Sequence, residues 1–261
     1  MSQLLQDTGA HWIAALLLAA MFAAHEVCWR IARRDATRAG VDGASLDPLD
    51  AAISLLMGLI LAFSFSMASA RAAQRADLAV AEANAIGTAW LRCALLDGET
   101  RSGCEEGLRG YVGVRIAIHE AGYDQERLTE LLTESDRVLT ELWGRLVAEL
   151  RDEDRPVVGL LVLPAMNDMI DRNTERVVAA RRHVPAAVSL LELGLCVVWA
   201  GITGYTLGAR NRRYRIGWSV FALLIAIVVF VTFDFDRQQR GFIRGRAAEQ
   251  ALYDLRAAMG P

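Results

Sequence analysis

The side chains able to do chemistry are few and far apart. The four histidines, His11, His25, His119 and His183, stand singly, none beside a Cys, Asp or Glu at the spacing that a zinc site requires. There is no Walker loop, no GxGxxG turn and no GxSxG elbow, so neither phosphate cradling nor nucleophilic hydrolysis has residues to carry it. No metal, no cofactor and no enzymatic activity is expected. Two acidic groups invite a cation: Asp152, Glu153 and Asp154 in RDEDR, and Asp234 with Asp236 in FDFDRQQRGFIRG. A solvated loop accounts for the first, and pairing with Arg237, Arg240 or Arg244 for the second. Glu192, in SLLELGL, is different because its neighbours are all apolar or small. An ionisable group in such a stretch is costly and faces either a helix-bundle interior or water. It is therefore a candidate intramembrane ionisable site, with hydrogen-bonded packing between helices as the alternative. His25 and Glu26, at the end of another apolar stretch, can snorkel to an interface.

The elements that must position these groups follow from where charge is missing. Apolar residues make up 54% of the chain and charged ones 23%, and the two kinds are segregated. Residues 12–29, 51–70, 186–207 and 216–233 are nearly free of charge and about long enough to cross hydrocarbon, which takes roughly 20 helical residues. Residues 71–185 carry 20 acidic and 15 basic side chains and must sit in water. The expectation is an all-α, multi-pass membrane protein: a first transmembrane pair (1–70), a helical soluble domain inserted between the second and third spans (71–185), a second pair (186–235) and a C-terminal tail (236–261). The first span has basic residues after it rather than before it, the reverse of a cleavable signal, and reads as a retained anchor. All 28 basic residues are arginine, so arginine content carries no message of its own, and a net charge of −3 leaves no footprint for nucleic acid.

Within 71–185, no proline separates residue 70 from residue 96, and the second span should run on as helix into the domain. A break at DGETRSG precedes a helix over 104–120 with Leu108, Val112, Ile116 and His119 at stripe spacing. The segment 125–150 places Leu128, Leu131, Leu132, Val138, Leu139, Leu142, Leu146 and Leu150 mostly on one face. A last helix is expected near 163–182, and Pro185 marks a bend.

Three segments, LAFSFSMASARAAQRADLAVAEANAIGTAWLR (61–92), RVVAARRHVP (176–185) and DFDRQQRGFI (234–243), resemble the bacterial bestrophin-like family of unknown function, the EANAIGTAWLR stretch most specifically. The likeness covers most of the chain after Leu49. More remotely, AFSFSMASARAAQR is similar to the bestrophin channels, whose pore-lining helix runs straight into an arginine-bearing cytosolic helix. This resemblance implies a homopentamer around a pore lined by the second span, in a bacterial inner membrane, and permeable to small ions. Aligning Arg71 with the arginine after the bestrophin pore helix puts Leu55, Leu59 and Phe63 on the apolar neck. The tryptophan pair of bestrophins is Ala72 and Ala73 here, and their acidic calcium clasp has no counterpart, so calcium gating is not implied. Ser54, Ser64, Ser66 and Ser69 supply hydroxyls for a water-facing side, although serines also serve helix packing in lipid. The alternative from another class is a non-conducting scaffold or sensor whose helical domain binds a partner.

The resemblance implies a cytosolic domain, whereas the residues argue for a periplasmic one. Both short loops are arginine-rich, with Arg30, Arg33, Arg34 and Arg38 in one and Arg210, Arg212, Arg213 and Arg215 in the other. Short loops dominate orientation, so these should be cytoplasmic. Cys93 and Cys104 bracket the DGETRSG turn, where they could meet as a disulfide of the kind that persists in the periplasm. Cys28 and Cys196 read as apolar packing residues.

Overall fold

The computed structural model describes residues 9–39, 47–122, 124–150, 156–236 and 246–260. Among these, the elements are all helices: α1 (Ala10–Ala39), α2 (Asp47–Cys93), α3 (Gly98–Glu120), α4 (Gln125–Leu150), α5 (Pro156–Ala180), α6 (Ala186–Ala209), α7 (Arg215–Asp236) and α8 (Arg246–Ala258). Four of them, α1, α2, α6 and α7, are long and apolar enough to cross a membrane. The chain packs as two compact units, Met1–Arg71 with His183–Arg237, and Ala72–Arg182 with Gln238–Pro261. RDEDR and the arginines at 237, 240 and 244 lie outside the described residues.

In the first unit, α1 and α6 approach until their backbones touch. A Cβ on Gly204 would fall 2.3 Å from the carbonyl oxygen of His25, and one on Gly208 would fall 2.4 Å from that of Trp29. Glycines four apart therefore form a small-xxx-small contact, which suits helix pairing where hydrophobicity cannot drive association. Met21, Met57, Leu61, Trp199, Ala222 and Val229 fill the core around them.

Helix α2 runs unbroken for 47 residues, as its freedom from proline after Pro48 allows, and carries Asp47 and Asp50 in its first turn, where acids offset the helix dipole. It stops at a turn in which Leu95 and Leu96 donate back to the carbonyls of Arg92 and Cys93. The following Gly98 has φ +53°, a left-handed conformation that glycine takes without strain. That glycine ends the turn early, so α3 begins at Gly98 rather than near 104. Likewise α5 begins at Pro156, well before 163, because proline's fixed φ and missing N–H suit a first helical position. Pro164 is accommodated inside it.

The second unit buries Ile86, Leu108, Tyr111, Val112, Leu142 and Met166. On α4 the buried line is Leu131, Ser135, Leu139, Leu142 and Leu146, narrower than the sequence stripe. The segment expected as a tail is part of this core. On α8 and just after it, Leu252 and Met259 are buried, Arg109 Nε donates to the Met259 carbonyl at 3.3 Å, and Tyr253 donates to Glu120 at 3.1 Å.

Candidate functional site

Helix α2 has two unlike faces over its apolar stretch. Met57, Leu61, Ser64 and Ala68 are buried in the first unit, whereas Leu55, Leu59 and Phe63 are 77%, 49% and 58% exposed. The three neck positions thus share one side, four residues apart, and are left uncovered by the chain's own helices. The serines do not line that side together. Ser54 and Ser64 turn inward, their hydroxyls donating to the carbonyls of Asp50 (2.7 Å) and Ile60 (2.9 Å), while Ser66 is exposed one turn beyond Phe63.

The inward face meets α6 through polar pairs. Arg210 pairs with Asp47, Thr203 donates to Asp50 at 2.9 Å, and the Trp199 indole donates to Ser54 at 2.7 Å. Numbers rise along α2 as they fall along α6, so the two run antiparallel, and Ser64 faces Glu192 farther down the same seam. Glu192 is 2% exposed, and its Oε1 has no hydrogen-bond partner among the described residues.

At the other end of this bundle His25 does not snorkel. Its ring stacks on Trp218 at 3.9 Å because the Gly204 contact draws α1 inward at that level. Glu26 is held by Arg30 at 2.9 Å and Arg213 at 3.6 Å. Two guanidiniums approach the Trp29 ring, Arg33 at 5.2 Å and Arg213 at 3.6 Å from its centre, and Trp29 donates from Nε1 to the Arg212 carbonyl. Asp236 binds no described arginine. Its carboxylate accepts the Val184 N–H at 2.9 Å and stands 3.4 Å from His183 Nδ1, which fixes the chain where it enters α6.

The second unit holds a buried ionic network that sequence reasoning missed. Glu82 on α2 is fully buried. Its Oε1 accepts from the Tyr111 hydroxyl at 2.7 Å and lies 2.8 Å from Arg115 Nε; its Oε2 accepts from Arg115 Nη2 at 3.0 Å and Arg176 Nη1 at 2.5 Å. One carboxylate from α2 thereby joins α3 and α5. Burial, with Glu82 alongside, holds the Tyr111 phenol well above its ordinary pKa. A signal was present: Glu82, Arg115 and Arg176 each fall on the apolar stripe of their own helix, among Ala79 and Ala83, Leu108 and Ile118, and Met166 and Met169. The segments quoted for the family resemblance supply Glu82 and Arg176 to this network, and His183, Val184 and Asp236 to the contact at α6.

Farther along α2, at its end, Cys93 forms a disulfide with Cys104, with an S–S distance of 2.02 Å and Cα atoms 5.9 Å apart, closing the turn between α2 and α3. Cys28 and Cys196 are free. No three metal-binding side chains gather among the described residues. No protein-family model, curated protein or solved structure matches this chain.

Proposed function

We propose that this chain is one subunit of a homo-oligomeric, bestrophin-like ion channel of a bacterial inner membrane, with α2 lining the pore. The observation that supports the reading is the uncovered face of α2. A single chain leaves Leu55, Leu59 and Phe63 exposed while tying the opposite face to α6. In a ring of five subunits these residues would form three apolar constrictions that gate small ions by dewetting. The disulfide and the arginine-rich short loops support a periplasmic placement of the helical domain, with both termini outside.

Particle images in mild detergent, together with ion flux from purified protein in liposomes, test the proposal. Five-fold rings are expected, and Leu59→Ala with Phe63→Ala should raise flux. A monomer under mild conditions, or unchanged flux in the double variant, would count against it. A well-formed oligomer that conducts nothing would favour a scaffold whose helical domain binds a partner.

A further inference from the structure

We infer that Glu192 and Ser64 form a proton-binding site on the α2–α6 seam, in which the Glu192 carboxyl carries the proton and donates it in a hydrogen bond to Ser64 Oγ. A serine hydroxyl has one proton to give, and that of Ser64 goes to the Ile60 carbonyl at 2.9 Å. What Ser64 turns to Glu192 is therefore a lone pair. A carboxylate facing a lone pair is repelled, whereas a carboxylic acid donates to it.

Burial and charge point the same way. Glu192 is 2% exposed and Ser64 0%, and Glu192 Oε1 has no partner among the described residues. A buried carboxylate needs a cation or several donors, and the packed helices bring neither. Residues 12–24 of α1, 51–70 of α2 and 216–233 of α7 contain no charged side chain. On α6 itself the nearest titratable group is the buried thiol of Cys196, one turn on. The α1 histidine, His25, sits against Gly204, twelve residues along α6 or about 18 Å away. Arg71 on α2 and Asp234 on α7 lie beyond the apolar stretches. A neutral acid is the form that this setting accommodates.

The proposal does not rest on conduction, and its test reads the proton directly. In full-length protein reconstituted in liposomes, infrared spectra near neutral pH should show the carbonyl band of a protonated carboxylic acid. The band should vanish in Glu192→Gln and move to higher frequency in Ser64→Ala, where the acid loses its acceptor. It should give way to carboxylate bands as pH is raised. Dicyclohexylcarbodiimide, which partitions into bilayers and reacts with protonated buried carboxyls, should tag Glu192 in the unaltered protein, so the idea survives a variant that fails to fold. Identical carbonyl bands in the unaltered protein and Glu192→Gln, together with no tag on Glu192, would overturn the site. A band that ignores Ser64→Ala would overturn Ser64 as the acceptor.

Discussion

Glu82 shows how much one side chain can organise. Two guanidiniums and a phenol converge on its carboxylate, all buried. Removing one member of such a set strands the others without compensation, at about 3–5 kcal/mol. Glu82→Gln should therefore lower the unfolding free energy of the full chain by that order, as read by denaturant titration in detergent. Tyr111→Phe removes only a donor to a charged acceptor and should cost less, about 1.5–3 kcal/mol. The phenol also sets an alkaline limit. Because its folded pKa lies above the ordinary value near 10, the stability that it contributes is complete below about pH 10 and is lost as pH rises through the folded value. Ultraviolet titration should find Tyr111 un-ionised until the protein unfolds, and Tyr111→Phe should flatten the alkaline loss of stability. The sequence displayed this network only as charged residues at stripe positions. Which acid meets which base depends on three helices remote in sequence coming together, a pairing that periodicity within one helix does not contain.

At the scale of elements the apolar stretches were legible, because 20 residues without charge leave one physical outcome. Helix starts were less so. A glycine-rich run such as DGETRSG reads as loop, but only Gly98 needs the left-handed conformation, and the residues after it are free to be helical. The expected C-terminal tail holds a helix, α8, whose pattern of Leu252, Leu255 and Met259 at three- and four-residue spacing spans only two turns. Two predictions belong here. The Cys93–Cys104 bond closes a short loop, and Cys93→Ser with Cys104→Ser should lower unfolding free energy by about 3 kcal/mol in the chain-entropy model; equal stability in the double variant would mean that the packing of α2 on α3 suffices alone. Gly204→Val places a branched side chain where a Cβ already falls 2.3 Å from a backbone oxygen. Melting in detergent should drop sharply, whereas Gly194→Ala, with open space beside it, should leave it unchanged.

For the whole molecule, the arginines expected in two short loops come to one end of the first unit: Arg30 and Arg33 lie on α1 itself rather than in a loop, Trp29 meets Arg212 and Arg213, and Asp47 meets Arg210. A phosphatase reporter that is active only outside the cytoplasm, fused after Pro261, should be active if these loops are cytoplasmic. An inactive reporter would instead support the cytosolic domain that the bestrophin resemblance implies. The glycines described above carry a further consequence, for how the chain can change over generations. Every mutation of a glycine adds atoms. At Gly204 and Gly208 the added atom meets a carbonyl oxygen of the neighbouring helix, and at Gly58, Gly110 and Gly194 it meets nothing within 4 Å. Descendants of this sequence should therefore exchange Gly110 and Gly194 freely while holding the first pair fixed, so that substitution rates at those four positions would report the α1–α6 contact to an observer who had never seen the fold.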